Sequence, residues 1–468
     1  MNFDSDVVIG LEIHIQLDTK TKLFCSCPTK GSEEPNTRTC EVCLGMPGSK
    51  PVMNKEVLEY AMRLCLACGC DVAPELIFSR KSYFYPDNAK NYQITQYELP
   101  LGSKGVVRLS NGKEIRLIRI HVEEDPASLT HPSGMQNSKF VLADYNRSGN
   151  PLCELVTEPD MTSAEEARDF MKQLISILRY LKIFDISNGI VKADVNVSVK
   201  ETGYIRSEIK NVTGFKEIEN AIKYEVERQK SNPSEVCMET RGWDSDNGIT
   251  FSLRKKESEE EYGYIIDPDL VPIEIEESYV KMVKDELPEL AHEKSLRFID
   301  EHGIKEEDAK IIAQGKELAE LFDRAVKDGI PPKLAVSWVR HELNRVLNYN
   351  KKTLEEIEWD EEQMLTLLRL IEDKSITERV AQKILEKLIE KPFDVKEYVE
   401  KEGLSSVSDG NELEAICKEA IEEGAQAVKD YKSGNEKAIN SVVGLVMRKT
   451  RGTARPDVVL SKIKELVD

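Results

Sequence analysis

Residues 7–17 read VVIGLEIHIQL, and this stretch decides the fold of the first half of the chain. From Leu11 onward every second residue is aliphatic, and the residues between them are Glu12, His14 and Gln16. Because side chains on a β-strand point alternately to its two faces, the alternation predicts a strand with one face in a core and a second face that carries chemical groups. The same period of two recurs in residues 115–122, 192–200 and 204–210. The sequence therefore predicts a sheet.

Helical periodicity separates these predicted strands. Apolar residues recur at intervals of three and four in residues 54–70, 162–181 and 215–230. Ser163 suits the N-cap of the second helix, and Glu166 three residues later completes a capping box. Strands of this kind with helices between them predict an α+β domain, built on a mixed or antiparallel sheet.

The character of the sequence changes after Pro288. Strand alternation stops, and amphipathic helical patterns follow in residues 305–328, 333–349, 361–373 and 377–390. A Gly-, Ser- and Asp-rich break then precedes a last group of helices. We therefore expect three domains: a β-rich α+β domain over residues 1–290, an all-helical domain over residues 291–402 and a small helical tail domain over residues 403–468.

Composition limits the classes of function. The chain has a formal net charge of −20, and 40% of its 468 residues are hydrophobic. The charge argues against nucleic-acid binding over the whole surface and leaves room for a local basic site. No stretch approaches the roughly 18–20 apolar residues that span a membrane, and the acidic start of the sequence is unlike a secretory signal. We expect a cytoplasmic protein without a membrane partner.

Four cysteines near the N-terminus form a C-x-C pair followed by a C-x2-C pair: Cys25, Cys27, Cys40 and Cys43. Two close pairs separated by a loop are typical of a tetrahedral zinc site, and this loop has too few apolar residues to pack by itself. The alternative is four reduced cysteines without a metal. We predict a structural Zn²⁺, because four thiolates leave no open position for chemistry.

Three further cysteines, Cys65, Cys68 and Cys70, follow the helical pattern of residues 54–70. Cysteine in such a position behaves as a small hydrophobic residue. We expect these three thiols to pack in the core.

Carboxylates and a histidine lie in or beside the predicted strands, where acidic residues are disfavoured. Each of them alone is more simply explained by a solvated strand face. Together they indicate one acidic pocket suited to Mg²⁺ and a nucleoside triphosphate. The candidates are Glu12 and His14, then Glu123, Glu124 and Asp125 at the end of the second strand, and then Asp144, Glu154, Asp194 and Glu208.

Cations for such a pocket must come from isolated side chains, because the sequence contains neither a P-loop nor a Rossmann glycine fingerprint. Lys81 and Lys90 flank the aromatic run of residues 82–89. This stretch could line a ligand channel, or it could be an ordinary tyrosine-rich loop.

A basic patch stands out near the C-terminus. Residues 429–455 contain seven cations and two acidic residues, a local charge of +5. One interpretation is that the cations compensate the macrodipole at the end of an apolar helix. The other is contact with the phosphate backbone of a structured RNA. The candidate RNA-binding residues are Arg448, Lys449, Arg451 and Arg455.

Read as strings, these segments resemble one family, the B subunits of glutamyl/aspartyl-tRNA amidotransferases. The resemblance rests on VIGLEIH at residues 8–14, TCEVCLGMPG at 39–48, KSYFYPD at 81–87, IHVEED at 120–125, DYNRSG at 144–149 and DVNVS at 194–198. These motifs occur in the family's order and extend over nearly the whole chain. The paralogous E subunit shares the first domain but carries a large insertion for which this chain has no room.

The resemblance implies a specific activity. Such B subunits bind mischarged Glu-tRNA(Gln) or Asp-tRNA(Asn) and use ATP with Mg²⁺ to phosphorylate the side-chain carboxylate. Ammonia from the amidase (A) subunit then displaces the phosphate, and a small C subunit completes the heterotrimer. The complex also works with the non-discriminating aminoacyl-tRNA synthetase that mischarges the tRNA. The family's fold is a β-rich cradle, a helical domain and a YqeY-like tail.

The resemblance also implies roles for individual residues. Glu12, His14 and Glu124 would bind Mg²⁺, with Asp194, Glu208 and Glu154 as further catalytic residues. Lys81 and Lys90 would lie on the route of the ammonia, and the four N-terminal cysteines would bind zinc. The chain departs from the family's pattern in residues 254–270, where an Arg and a Phe are missing, so no ligand role is assigned there.

Two other classes of function remain open from the sequence. One is a tRNA-binding adaptor whose pocket has lost its activity. The other is an ATP-dependent ligase that acts on a small molecule without RNA. The motifs also leave open whether Glu-tRNA(Gln), Asp-tRNA(Asn) or both are substrates.

Overall fold

A computed structural model describes residue 3 and residues 5–134, 138–185, 191–255, 263–406, 410–450 and 452–467. The chain divides into two compact units, Met1–Leu290 and Ala291–Asp468. In these described ranges, no helix is both long enough and apolar enough to cross a membrane.

The first unit contains the strands. They are β1 (Val7–Gln16), β2 (Asp71–Val72), β3 (Glu75–Leu76), β4 (Ser79–Ser82), β5 (Tyr92–Thr95), β6 (Gly102–Ser103), β7 (Val106–Arg108), β8 (Glu114–Glu124), β9 (Ser128–Thr130), β10 (Leu142–Asp144), β11 (Pro151–Thr157), β12 (Val191–Val199), β13 (Ser207–Thr213), β14 (Glu239–Asp244), β15 (Ile249–Lys255), β16 (Gly263–Ile266) and β17 (Ile273–Glu274). Its helices are α1 (Lys55–Ala67), α2 (Ala164–Leu181), α3 (Phe215–Ser231) and α4 (Glu277–Asp285).

Among the described residues, ten strands form one sheet in the order β15-β14-β13-β12-β1-β11-β8-β6-β2, with β7 paired to β8 beside this path. Neighbours pair antiparallel except β13 and β14, which are parallel. The sheet is therefore mixed. Residues 7–16, the stretch with the clearest alternation, form its central strand, β1, between β12 and β11.

The two faces of this sheet have different roles. Its apolar face, which includes Leu11, Ile13 and Ile15, forms a continuous core with apolar residues of α1, α2 and α3 such as Phe170 and Ile222. Burial of that face is the main stabilising contribution, because apolar surface removed from water contributes about 25 cal/mol per Å². The opposite face carries the polar residues. A small sheet in the order β16-β4-β5 lies beside it, and β5 contacts β8.

Local signals explain the helix ends. The Ser163 hydroxyl accepts a hydrogen bond from the Glu166 backbone N–H, as expected of an N-cap. Glu166 differs from the predicted capping box, because its carboxylate accepts from the N–H of Thr162 instead of Ser163. The helix predicted over residues 54–70 ends at Ala67, so Cys68 is its C-cap and Cys70 lies beyond it. All three thiols of that segment are buried in the core, as expected.

The second unit is helical. Its helices are α5 (Ala291–His302), α6 (Glu306–Gln314), α7 (Lys316–Lys327), α8 (Pro332–Val336), α9 (Asn344–Asn350), α10 (Glu361–Glu372), α11 (Glu378–Glu390), α12 (Val395–Lys401), α13 (Gly410–Glu423), α14 (Ala425–Lys432), α15 (Ile439–Lys449) and α16 (Pro456–Val467). Residues 305–328, predicted as one amphipathic pattern, form two helices because Gly315 adopts an extended conformation between them. A π-helical segment, Ser337–Leu343, joins α8 to α9.

Apolar residues of α13, α15 and α16 form a separate small core. The Thr377 hydroxyl also donates to the backbone carbonyl of Gly452 in this same unit. The structure therefore confirms the α+β fold class, a mixed sheet with helices followed by helical elements. The boundary between residues 291–402 and 403–468 stays a prediction.

Candidate functional site

The polar face of the sheet carries a row of ionisable side chains on neighbouring strands. His14 of β1 lies opposite Glu154 of β11, and Glu154 lies opposite His121 of β8. On the other side of β1, Glu12 lies opposite Asp194 of β12. Directly opposed residues on adjacent strands have Cβ atoms about 4.5–5.5 Å apart, so these groups are held together by backbone pairing alone.

The side chains form a connected cluster. His14 Nε2 lies 3.5 Å from a carboxylate oxygen of Glu123 and 3.5 Å from one of Glu154. His121 approaches the same two carboxylates at 3.6 and 3.7 Å. Glu123 and Glu154 are almost completely buried. Two buried carboxylates between two imidazoles form an anionic centre that selects for cations.

A cavity of about 240 Å³ opens over this cluster. Its lining residues combine the acidic cluster with several cations, and they are Glu12, His14, Gln16, Lys81, Tyr83, Gln93, Glu123, Asp125, Pro126, Arg147, Leu152, Glu154, Lys192, Asp194, Lys210 and Asn211. The small sheet contributes Lys81 and Gln93, and the Thr95 hydroxyl of β5 donates to Glu123 at 3.1 Å. The cavity therefore has an acidic wall on β1, β8 and β11 and cations around it.

Protonation equilibria reflect the concentration of charge. Burial alone lowers the pKa of His14, but its hydrogen bond to Glu154 and the charges of Glu123 and Glu154 raise that pKa to about 9. Burial raises the pKa of Glu12, and the charge of Glu154 raises it further. Burial also raises the pKa of the Asp125 carboxyl group, to about 6. Burial raises the pKa of Glu154, but the charges of His121 and His14 lower that pKa overall, so the cluster keeps a proton on His14 and a negative charge on Glu154.

Metal-binding groups are present in this wall. Ligand atoms of Glu12, His14 and Glu154 lie within 4.8 Å of one another, and so do those of His121, Glu123 and Glu154. The two groups share Glu154. Carboxylate oxygens suit Mg²⁺, which completes its coordination with water and substrate phosphates. The residues present therefore fit a magnesium ion.

Glu124, predicted to join Glu12 and His14, is not placed with them. Strand alternation puts its side chain on the opposite face from Glu123, where it forms a buried ion pair with Lys90 at 2.6 Å. It also accepts the backbone N–H of Ile94 at 2.8 Å. The expected convergence of Glu124 on the acidic cluster is thus contradicted by the geometry, and Glu123 occupies that place.

The other predicted residues divide between the cavity and its surroundings. Lys81 and Asp194 line it, whereas Glu208 lies behind Lys210, at 2.6 Å from the Lys210 ammonium group. Lys210 also pairs with Asp194, and burial alone would lower its pKa, but these two carboxylates raise it. Lys90 does not line the cavity.

The four N-terminal cysteines come together. Their Sγ atoms lie within 4.8 Å of one another, and those of Cys40 and Cys43 are 3.9 Å apart. A tetrahedral zinc site with Zn–S bonds of about 2.3 Å requires sulfur–sulfur distances of about 3.8 Å. The backbone N–H of Cys40 donates to Cys43 Sγ at 3.2 Å, and a hydrogen bond from Cys25 lowers the pKa of Cys43 to about 5. The residues present fit a Zn²⁺ ion.

Lys22 lies against this cysteine cluster. It is fully buried, its ammonium group is 3.7 Å from Cys43 Sγ, and it donates to the Tyr145 carbonyl at 3.3 Å. A lysine is almost never buried without a negative partner. The contact identifies the cysteine cluster as a centre of negative charge.

The loop before Cys40 connects the cysteine cluster to the cavity. Asn36 exchanges hydrogen bonds with residues of the turn 143–149, and the Arg38 backbone N–H donates to Asn146 at 2.7 Å. That turn carries Arg147, whose guanidinium donates to the carbonyls of Pro126 and Ala127, both at 2.9 Å. The loop therefore helps to hold Arg147 at the cavity.

The predicted RNA-binding cations of the tail differ in whether a carboxylate already pairs with them. Lys449 pairs with Glu419 and Glu423, each at 3.2 Å, and Arg455 pairs with Asp457. In the part of the chain that the structure describes, Arg448 is exposed and forms no ion pair. Arg451 lies outside the described residues.

Five charged lining residues carry no predicted role: Glu123, Asp125, Arg147, Lys192 and Lys210. The parity of the strand could have found Glu123, because residues 121 and 123 share a face and residue 124 does not. The same parity places Lys192 with Asp194. Arg147 gives no such signal, since it lies in a turn.

Comparisons with known proteins agree with this geometry. Residues 7–281 match the family model described as the GatB/GatE catalytic domain, and residues 320–467 match the one described as the GatB domain. Proteins named as the B subunit of aspartyl/glutamyl-tRNA(Asn/Gln) amidotransferase are similar over almost their whole length. Those of Thermoanaerobacter pseudethanolicus and Thermotoga maritima are 40% identical, with 98% of each chain covered. That of Methanococcus maripaludis is also 40% identical, with 100% of each chain covered. Because one family model covers more than half of the chain and these relatives align over nearly all of it, the chain belongs to the GatB/GatE family, as a protein of the GatB type.

Proposed function

We propose that this chain is the B subunit of a tRNA-dependent amidotransferase. It would use ATP to phosphorylate the side-chain carboxylate of Glu-tRNA(Gln), Asp-tRNA(Asn) or both, and the acyl phosphate would then be amidated. The observation that carries the proposal is the cavity, where an acidic cluster of Glu12, His14, Glu123 and Glu154 faces cations within one small space. The names of the relatives support the class of reaction.

The chemistry explains why this arrangement is needed. A carboxylate is a poor electrophile because an oxide leaving group is unfavourable, whereas an acyl phosphate has a good leaving group. A carboxylate oxygen forms a bond to the γ-phosphorus of ATP, and the bond to the bridging oxygen breaks, so that ADP leaves with the electron pair. Attack by ammonia on the acyl carbon then releases phosphate, with loss of a proton from nitrogen.

The residues of the cavity have separate parts in this scheme. Glu12, His14, Glu123 and Glu154 would hold magnesium, and Asp194 would orient Lys210, with which it pairs. Magnesium, when bound, supplies positive charge that neutralises the phosphates during transfer. Lys81 and Lys210 lie at the cavity and can bind phosphate oxygens.

The partners and the remaining sites stay part of the proposal. Ammonia would come from an amidase (A) subunit, with a small C subunit in the complex and a non-discriminating synthetase as the source of mischarged tRNA. Lys90 would lie on the ammonia route, as predicted. It forms a buried ion pair with Glu124 and does not line the cavity itself. A structural Zn²⁺ would be bound by the four N-terminal cysteines.

The adaptor hypothesis is not favoured. An adaptor with an inactive pocket has no need for buried carboxylates, whose burial costs several kcal/mol per charge unless it is offset. The cavity retains five acidic lining residues beside His14. A ligase for small molecules without RNA is likewise unsupported, because the relatives are named for tRNA substrates.

The test is reconstitution of the chain with amidase and C subunits, Mg²⁺, ATP and glutamine. Glu-tRNA(Gln) and Asp-tRNA(Asn) are assayed separately for amide formation and ADP release. We expect about one ADP per amide with at least one of the two tRNAs. Amide formation without ATP, or ATP hydrolysis unaffected by mischarged tRNA, would contradict the proposal.

A further inference from the structure

Lys192 is a cation of the cavity whose own partner is missing. In the described part of the chain, no carboxylate lies within ion-pair distance of its ammonium group, and the side chain makes no hydrogen bond. Lys210, which also lines the cavity, pairs with both Asp194 and Glu208. A half-buried ammonium group without a counter-ion is unfavourable, so its position favours a negative group from a ligand.

The strand register determines the position of Lys192 relative to the acidic wall of the cavity. It lies opposite His14 on the neighbouring strand, and Glu154 lies opposite His14 on the other side. Adjacent strands are about 4.8 Å apart, so Lys192 is one strand from His14 and two strands, about 10 Å, from Glu154. An anion bound by Lys192 would therefore lie beside the metal-binding groups and not among them.

Arg147 strengthens the positive charge at this end of the cavity. Its Nε and Nη2 atoms donate to the carbonyls of Pro126 and Ala127, and its Nε lies 3.4 Å from Asp125. These contacts hold the guanidinium in one place. Both Arg147 and Lys192 line the cavity. The charges of Asp125 and Asp194 both act on Lys192, but Asp194 already pairs with Lys210, so the two cations outweigh the negative charge left at this end.

Two anions enter the proposed reaction, and they differ in what they need. The phosphates of ATP arrive with a metal ion, which the acidic wall can bind through Glu12, His14 and Glu154. The acceptor carboxylate of the aminoacyl group arrives without a metal, so an acidic wall repels it unless a protein cation offsets that repulsion.

We propose that Lys192, with Arg147 beside it, binds the side-chain carboxylate of the aminoacyl group on the mischarged tRNA. This inference rests on the proposed function, and it identifies Lys192 as the residue that distinguishes aminoacylated from uncharged tRNA. Lys192 holds the acceptor oxygen next to the metal-bound nucleotide, so that phosphoryl transfer proceeds between two fixed partners.

The experiment uses the reconstituted complex with the variants Lys192→Met and Lys192→Arg. Lys200→Met is the matched control, because Lys200 follows the same strand but is exposed, and its ion pair in the described structure is with exposed Asp6 at 3.4 Å. Three quantities are measured for each protein: the Kd of mischarged tRNA, the Kd of the same tRNA uncharged and the KM for ATP.

We expect Lys192→Met to weaken binding of mischarged tRNA about 10- to 100-fold, the usual loss for a charge-assisted hydrogen bond. Binding of uncharged tRNA and the KM for ATP should stay unchanged, Lys192→Arg should restore much of the preference, and Lys200→Met should behave as wild type. A raised KM for ATP with the tRNA preference intact would overturn the inference, because Lys192 would then bind the γ-phosphate.

Unchanged values in all three measurements would overturn it as well. Failure of the proposed function has a different signature, because the wild-type complex itself would then form no amide from mischarged tRNA in the presence of ATP. The wild-type assay therefore separates the two failures before any variant is examined.

Discussion

Two adjacent glutamates in β8 point to opposite faces of the sheet, and we expect one to act in the reaction and the other to stabilise the fold. Glu123 lies on the polar face, between His14 and His121, whereas Glu124 lies on the opposite face, paired with Lys90. Glu123 therefore belongs to the acidic cluster, whereas the next residue, Glu124, belongs to a buried ion pair. Substitution of each by glutamine tests this division, because glutamine keeps the shape and removes the charge.

We expect Glu123→Gln to lower kcat for amide formation about 10²–10³-fold, since it removes a charge that acts mainly in the transition state. Its melting temperature should remain close to that of the wild type. Glu124→Gln should instead destabilise the protein by about 3 kcal/mol, because it leaves the buried ammonium group of Lys90 without its counter-ion. Calorimetry and steady-state kinetics on the two variants check both effects. A normal rate for Glu123→Gln would place the phosphoryl-transfer site elsewhere.

Lys22 offers a second test at this scale. Its buried ammonium group contacts Cys43 Sγ and would offset the net negative charge of a site in which four thiolates bind Zn²⁺. We expect Lys22→Met to weaken zinc binding about 10- to 100-fold, the usual cost of losing a partner of a metal ligand. The rate of zinc loss to a chelator measures this effect. Lys20→Met, at an exposed neighbour, is the control; equal rates for the two variants would contradict a role for Lys22.

The strand pattern predicted much of the site from sequence, and its failure has a simple physical cause. The alternation in residues 7–17 correctly put Glu12 and His14 on the polar face, because a strand has a fixed period of two. The same rule distinguishes Glu123 from Glu124, but only once the strand is known to continue to its last residue. Strand parity places Lys192 on the polar face, but its lack of an ion-pair partner among the described residues is visible only in the structure. Arg147 lies in a turn, where no periodicity indicates the direction of a side chain.

At the scale of elements, we expect metal binding by the four N-terminal cysteines to take the place of regular secondary structure in residues 17–54. Residues 17–54 are all described and contain no helix or strand. The four cysteines hold this segment together, and hydrogen bonds from Asn36 and Arg38 join it to the turn that carries Arg147. Loss of the metal should therefore affect folding first and the cavity second.

We expect about one Zn²⁺ per chain and a clear fall in melting temperature for Cys40→Ser, because bound metal contributes directly to folding free energy. Activity per folded molecule should fall less than it does in Glu123→Gln, since no cysteine of the cluster lines the cavity. Cys237→Ser, at a cysteine outside the cluster, is the control. Elemental analysis that finds no zinc in protein purified without chelator would contradict the prediction.

Helix boundaries were harder to predict than helix positions. The sequence indicated helices in all four stretches after Pro288, and the structure has helices there. It did not indicate the break at Gly315 or the π-helical segment Ser337–Leu343, which depend on packing between helices as well as on periodicity. The three-domain division is similarly hard to derive from sequence, because the contact between Thr377 and Gly452 joins residues on both sides of the proposed boundary.

At the scale of the whole molecule, net charge determines how the tail can bind RNA. The chain carries a net charge of −20, so its overall field repels tRNA and any attraction must come from a few local contacts. Two of the predicted cations, Lys449 and Arg455, already have carboxylate partners. Of the four predicted RNA-binding residues, Arg448 is the one that the structure describes as exposed and without a carboxylate partner.

We expect the affinity for tRNA to depend weakly on salt, and Arg448→Ala to reduce the slope of log Kd against log salt by about one, the value for one phosphate contact. A point substitution is preferable to deletion of the tail, because deletion would expose the apolar core of α13, α15 and α16 and remove the Gly452 acceptor of Thr377. Lys352→Ala, at an exposed lysine between α9 and α10, is the matched control and should leave the slope unchanged. Filter binding or anisotropy with uncharged tRNA at several salt concentrations gives both slopes. If Arg448→Ala and Lys352→Ala have the same slope as the wild type, the basic end of α15 only compensates the macrodipole of its helix.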